Sequence, residues 1–307
     1  MSANGGTKAI LAALGANAGI AVAKFVGFAF TGSSSMLAEA VHSVADTSNQ
    51  GLLLLGQKTS RRTATKEHPF GFGRDRYFYS FIVALMLFTL GAAFAIYEGV
   101  HKIAEPEPLT TPVVAIVILL VAIGLESFSF YTAIGESRTL KGSASWWGFI
   151  RQSRTPELPV VLLEDAGALL GLVFALIGVG LSVLTGDPIW DGVGTLMIGA
   201  LLGVIAIILI IEMKSLLIGE GATDAELETI VDELAAGKVE RVIHIRTQYL
   251  GPDELLVAAK LALAPRLETD QIAKAIDDAE ARVRAKVPAV RLIYLEPDLD
   301  REAVNPK

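Results

Sequence analysis

The chain has 307 residues, 52% of them hydrophobic, and a mean hydropathy of +0.52. That is too apolar for a soluble domain of this size and points to a membrane protein. A net charge of −7 argues against a nucleic-acid surface. The absence of cysteine rules out disulfides and thiolate metal sites, leaving the histidines, carboxylates, amides and backbone as metal donors.

About 20 apolar residues cross a bilayer as a helix. Six windows qualify, roughly 9–31, 36–57, 77–101, 111–133, 157–183 and 189–212. The first is too long for a signal-peptide core and lacks a convincing cleavage pattern, so it reads as a retained span. The link after the second window carries Lys58, Arg61, Arg62, Lys66, Arg74 and Arg76, and the link after the fourth carries Arg138, Lys141, Arg151 and Arg154. The other links are uncharged (31–35), acidic (104–111) or short (186–188). Excess Lys and Arg mark the cytoplasmic side, so both termini are expected inside. The expected location is the cell (inner) membrane.

Charge becomes dense after Asp224. Residues 224–235 have helical periodicity, and 238–248 and 254–264 alternate like strands around the turn at Gly251 and Pro252. Residues 269–286 read as an amphipathic helix with Thr269 as N-cap, and 289–295 as a last strand. The expected fold is a polytopic α-helical membrane protein of six transmembrane helices (1–215), followed by a small cytoplasmic αββαβ domain (216–307) with its helices on one face of the sheet.

Polar residues interrupt two spans. His42 and Asp46, four apart, lie on one face of the second window, and Glu164 and Asp165 are adjacent in the fifth. Asp46 lies about 15 Å along its helix from the outer end, and the acidic pair about 12 Å from the inner end of its own. In a hydrocarbon core of about 30 Å the two sets fall at nearly one level. Charged groups at membrane depth are expensive and usually functional. One imidazole with two or three carboxylates suits Zn²⁺, and also Co²⁺, Fe²⁺ or Mn²⁺, whereas Ca²⁺ and Mg²⁺ rarely recruit histidine. An unperturbed imidazole titrates near neutrality, so proton exchange for metal at His42 is a natural coupling. A lone histidine in a span could instead hydrogen-bond a neighbouring helix. Glu39 lies one turn outward on the same stripe. Asn49 and Gln50 continue it inward, as path-lining groups or, the favoured reading, as interhelical hydrogen bonders. Lys24 and Glu98 sit near outer ends where side chains snorkel, and Glu126 has no assigned role.

The run from Ser33 to Asp46 (SSSMLAEAVHSVAD) resembles the second span of the cation diffusion facilitator family. The run His68-Pro69-Phe70-Gly71-Phe72-Gly73-Arg74 is similar to that family's following loop. Leu163-Glu164-Asp165-Ala166-Gly167 and Asp46-Thr47-Ser48-Asn49-Gln50-Gly51-Leu52 resemble the subgroup of the mitochondrial zinc transporter. The tail after Glu220 is similar to the family's metallochaperone-like domain. The resemblance covers nearly the whole chain and implies a homodimeric exporter of divalent metal, driven by proton antiport.

The family's ligand pairs then fall on His42 and Asp46 in the second span, and on Val161 and Asp165 in the fifth. Valine cannot bind metal. Glu164 is the obvious replacement, although adjacent helical residues point about 100° apart, and water is an alternative. In the loop, the family's acidic ligand and second histidine fall on Thr65 and Phe72, leaving His68, which reads as structural. Arg74 takes the place of a base that often locks the dimer through a salt bridge, with Glu220 as its suggested partner. In the tail His244 is the single histidine and Tyr294 takes the place of a ligand. Glu296 and Asp298 read as a solvated strand end, so this domain is expected to serve dimerisation.

Two other classes compete with a transporter. A regulatory or sensing membrane protein would hold metal without moving it, and Val161 is its best support. An intramembrane metalloenzyme would need a motif such as His-Glu-x-x-His, which does not occur.

Overall fold

The computed structural model describes residues 6–31, 34–106 and 112–299; the side chains of 28, 30, 31, 34–42 and 45 lie outside this description. The two links expected at 31–35 and 104–111 therefore fall largely outside it, as do the side chains of Glu39 and His42.

The chain forms two compact units, one of residues 1–62 and 75–214, the other of 63–74 and 215–307. The loop 63–74 thus groups with the C-terminal unit, which its position between two long helices does not reveal.

The first unit is helical. Its elements are α1 (Thr7–Thr31), α2 (Ser34–Thr59), α3 (Asp75–Met86), a π-helical segment (Leu87–Ala93), α4 (Phe94–Ala104), α5 (Pro112–Lys141), α6 (Trp146–Gln152), α7 (Glu157–Thr185) and α8 (Ile189–Ile218). The run from α3 through α4 is one continuous helical rod, with the π turn widening it in the middle. The short α6 is an addition to the sequence reading; Ser145 caps it, accepting from the Gly148 N–H at 3.0 Å. Among the described residues, five helical runs are long and apolar enough to cross a membrane. The 26-residue α2 is not among them, since it carries Asp46, Thr47, Ser48, Asn49 and Gln50 in succession.

The start and end of α7 follow from its sequence. Pro156 stands at its N-cap and Pro159 lies in its first turn, where no intrahelical donor is needed. Glu157 in that first turn complements the positive end of the helix dipole. Gly186 ends the helix at φ 70°, a left-handed conformation that favours glycine.

Close helix packing relies on absent side chains. A Cβ on Gly99 of α4 would lie 2.7 Å from the Leu196 backbone nitrogen of α8, and one on Gly178 of α7 would lie 2.8 Å from the Trp190 carbonyl oxygen. Small residues at such crossings allow the backbones to approach, which drives helix association where water supplies no hydrophobic force. Large apolar side chains such as Phe128, Tyr131, Leu184 and Ile211 remain exposed on the outside of these helices. Apolar surface on this scale suits lipid, not water.

The second unit contains α9 (Asp224–Leu234), β1 (Val239–Gly251), β2 (Glu254–Leu263), α10 (Thr269–Lys286) and β3 (Val290–Asp298). Its sheet has the order β1-β2-β3, with β1 and β2 antiparallel and β2 and β3 parallel. A parallel neighbour requires a crossover, and α10 supplies it. Thr223 and Glu226 form a capping box at the start of α9. At α10 the N-cap is Glu268, boxed with Gln271, so Thr269 is the first helical residue and not the cap. Ile230 and Leu234 of α9, Val257 and Leu261 of β2, and Ala279 and Val283 of α10 form the core.

Residues 63–74 approach the β1–β2 turn of this unit at Gly73. A Cβ on Gly73 would lie 2.7 Å from the Leu250 carbonyl oxygen, and one on Gly251 would lie 2.8 Å from the Gly73 Cα. Two glycines therefore meet backbone to backbone. Beside them lies Glu254, whose carboxyl is pushed above the usual range by burial, an effect opposed by Arg291 and reinforced by Asp253.

Candidate metal site between transmembrane helices

Two polar stripes, one from α2 and one from α7, meet inside the first unit. Glu164 of α7 is 7% exposed and accepts two hydrogen bonds from α2, from Asn49 Nδ2 to Oε1 and from Gln50 Nε2 to Oε2, each 3.1 Å. A carboxylate has two oxygens and, when ionised, only accepts. The two amides thus hold one carboxylate by both arms, and α2 and α7 are fixed in register by adjacent residues on one and a single residue on the other. Asn49 and Gln50 are interhelical hydrogen bonders.

Asp165 faces another helix. It is 1% exposed, and its Oδ2 accepts from Ser129 Oγ of α5 at 2.6 Å. The roughly 100° between successive helical residues therefore separates the acidic pair into one carboxylate directed at α2 and one directed at α5.

Asp46 is half-buried in α2. Glu126, buried in α5 one turn before Ser129, lies within electrostatic reach of Asp46, Glu164, Asp165 and Lys24. Four carboxylates and one ammonium thus share one interior region. Sequence reasoning gave Glu126 no role and passed over Ser129. The available signal was their i, i+3 spacing on one face of an otherwise apolar helix.

The remaining candidates are placed as follows. His42 belongs to α2, with its side chain outside the described residues. Val161 is fully buried in α7. Among the described residues, no three His, Asp or Glu side chains converge closely enough to hold an ion. His68 is exposed in the loop, where its backbone N–H donates to Thr65 Oγ1 at 3.1 Å and its ring lies 4.7 Å from that of Phe72. Its contacts are those of a loop-shaping residue. Arg74 ends the same loop, and the Glu220 carbonyl accepts from the Tyr249 N–H at 2.8 Å. On the sheet face away from the helices, Lys260 binds Glu296 at 3.0 Å and Asp298 at 3.2 Å. These bonds push the Lys260 ammonium pKa up. Glu296 and Asp298 thus pair with a cation of the chain itself at a largely exposed strand end.

Salt bridges brace the bundle around this centre. Arg76 of α3 is paired with Glu157 at the start of α7, with Nη2 to Oε2 at 2.8 Å. Lys102 of α4 meets Asp191 of α8 at 2.9 Å. The Ala9 N–H at the start of α1 donates to Glu136 of α5 at 3.0 Å.

Long helices with lipid-type outer faces and several buried carboxylates between them define a multi-pass membrane protein. The family model for the cation efflux transmembrane domain matches residues 10–218, and the chain belongs to that family, the cation diffusion facilitators. The proton-coupled zinc antiporter SLC30A9, mitochondrial, of Xenopus laevis is 35% identical over 249 residues, which are 80% of this chain and 44% of that protein. Metal tolerance protein C4 of Arabidopsis thaliana is 30% identical over 259 residues, 83% of this chain and 56% of that one. The chain spans about half the length of these curated relatives. Magnetosome protein MamB of Magnetospira sp. (strain QH-2) is 26% identical over 276 residues, 86% of this chain and 85% of its own. Among solved structures, a nickel form of a MamM CTD variant covers 25% of this chain and 98% of its own, at 19% identity and a TM-score of 0.24.

Proposed function

We propose that the protein is a secondary transporter that moves Zn²⁺ out of the cytoplasm in exchange for protons. The observation that carries this reading is the meeting of α2 and α7 through Asn49, Gln50 and Glu164, which brings Asp46 and Asp165 into one buried acidic region. Buried carboxylates in a membrane bundle mark ion pathways. The similarity to a protein named as a proton-coupled zinc antiporter supports zinc as cargo and protons as counter-ion. Mn²⁺, Fe²⁺ and Co²⁺ suit the same mixed donors.

In this reading α2 is the sixth span, its polarity being the cost of carrying the site. His42, Asp46 and Asp165 hold the metal. Glu164 stands beside them, clamped by its amides, and is not a free fourth ligand. Residues 1–215 form the membrane domain and 216–307 a cytoplasmic one, with both termini inside, in the cell membrane. The working unit is a homodimer, in which Arg74 and Glu220 are candidates for a locking salt bridge. The protein is not an enzyme and binds no nucleic acid.

Reconstituted vesicles with a pH gradient and radioactive zinc provide the test. The intact chain should accumulate zinc well beyond one ion per site, and Asp46→Ala should abolish this without preventing dimer formation. Saturation at about one ion per site would instead identify a sensor that holds metal without moving it.

A further inference from the structure

Lys24 of α1 has no part in the proposed metal site, yet it belongs to the inner side of its helix. Ile10, Asn17 and Ala21 are buried and stand on its stripe, 14, 7 and 3 residues before it. Val22 and Phe25 lie off that stripe and are exposed. Lys24 itself is half-buried. A lysine near the end of a membrane helix ordinarily snorkels to the nearer interface. Long side chains on a helix, however, lean toward its N-terminus. For Lys24 that lean runs away from the near end of α1 at Thr31 and along the bundle interior.

Two sets of contacts fix the levels. Thr7 Oγ1, in the first turn of α1, donates to Gln57 Oε1 in the last turn of α2 at 3.0 Å, so these helices run antiparallel. Counting inward from that bond sets Asp46 opposite residue 18 of α1. The Ala9 bond to Glu136 makes α5 antiparallel to α1 as well, and a Cβ on Gly19 would lie 3.2 Å from Leu125 Cδ1. Glu126 therefore stands at the level of Asp46. Lys24 is rooted roughly 8–9 Å beyond that level along the axis, and its four-carbon stem leans back across the gap. Glu126 is within electrostatic reach of both Lys24 and Asp46.

We propose that Lys24 is a tethered counter-cation of the metal site, its ammonium held by Asp46 and Glu126 while no metal is bound and displaced from Asp46 by an arriving divalent cation. The inference rests on the transport reading for its purpose. A buried group of carboxylates grips a divalent ion strongly in a low-dielectric interior, and a carrier has to release it. A built-in competing charge weakens that grip without occupying a ligand position. Glu126 gains a role by the same argument. A buried ammonium is costly without a partner, and Glu126, outside the proposed ligand set, receives the ammonium when metal takes Asp46.

The test titrates Zn²⁺ by isothermal calorimetry into the full chain in lipid nanodiscs, at one pH and one ionic strength. Lys24→Gln and Lys24→Met remove the competing charge and should each tighten zinc about tenfold or more. Lys24→Arg keeps the charge and should bind zinc close to the unsubstituted chain. Glu126→Gln should weaken zinc more in the unsubstituted chain than in Lys24→Gln, since the displaced ammonium loses its acceptor only in the former. Unchanged or weaker binding in a folded uncharged variant overturns the proposal, and so does equal tightening in Lys24→Arg, which would make shape and not charge the cause. Unfolding of both uncharged variants while Lys24→Arg stays folded would show that the charge serves the fold, and likewise overturns it. Zinc bound by none of these chains does the same. Vesicles that bind zinc but exchange none for protons would remove the transport reading and leave the affinity comparison standing.

Discussion

Arg76 and Glu157 form a two-armed ion pair between α3 and the first turn of α7, with Arg76 7% and Glu157 1% exposed. The pair joins the rod that follows the basic loop to the helix that carries Glu164 and Asp165. Breaking a buried ion pair by removing one partner typically costs about 3–5 kcal/mol. Glu157→Ala should therefore lower the thermal unfolding midpoint sharply in detergent. Arg76→Met combined with Glu157→Leu should restore much of it, since apolar replacement of both partners removes the desolvation cost as well. A double variant no better than the single one would show that the pair matters through something other than mutual compensation.

Ser129 donates to Asp165 from α5, and hydrogen bonds to charged groups contribute about 1.5–3 kcal/mol. Loss of the hydroxyl frees Asp165 to rotate away from its place. Ser129→Ala should raise the KM for zinc about tenfold or more in vesicle flux, with a smaller effect on kcat. Ser129→Thr keeps the hydroxyl and should restore KM. Equal losses in both variants would show that the pocket requires the volume of serine and not its hydrogen bond.

Gly73 and Gly251 meet where neither can carry a Cβ without a backbone clash. Overpacking of this kind costs about 1–3 kcal/mol. In Gly73→Ala the loop should lift from the β1–β2 hairpin, and trypsin should cleave at exposed Lys66 several times faster than in the unsubstituted chain. Unchanged cleavage would mean that the hairpin yields instead.

Glu254 carries a carboxyl whose pKa in the folded state lies above its unfolded value, mainly because burial penalises the charge. The folded state then binds the proton more tightly. Its stabilising contribution is complete below the unfolded pKa and is lost as pH rises through the raised one. Glu254→Gln removes this dependence. The variant's unfolding midpoint relative to the unsubstituted chain should thus rise as pH increases from the ordinary glutamate range upward, as followed by circular dichroism. A difference constant across that range would contradict the burial argument.

Several features were legible in the sequence because they depend on local period and composition. The apolar runs located the long helices, and a shift in charge density located the C-terminal unit. Alternation around Gly251 and Pro252 located β1 and β2. Helix ends were less legible: Glu268 displaced Thr269 as the cap because its neighbour Gln271 completes a capping box, a side-chain geometry that one residue of slippage reverses. The loop 63–74 reads as polar linker, and its grouping with the second unit, where Gly73 closely approaches Gly251, depends on tertiary packing.

By itself the sequence determined which residues are too polar for lipid. Asp46, Asn49, Gln50, Glu126, Glu164 and Asp165 interrupt runs whose transfer to a bilayer favours apolar side chains, and that conflict is visible in one dimension. Only the tertiary structure decided how the conflict is resolved, with Glu164 directed to the α2 amides and Asp165 to Ser129. Helical periodicity fixes the angle between neighbouring side chains, but the helix that each one meets depends on how the rods rotate and pack, and packing is settled by the fit of all of them together.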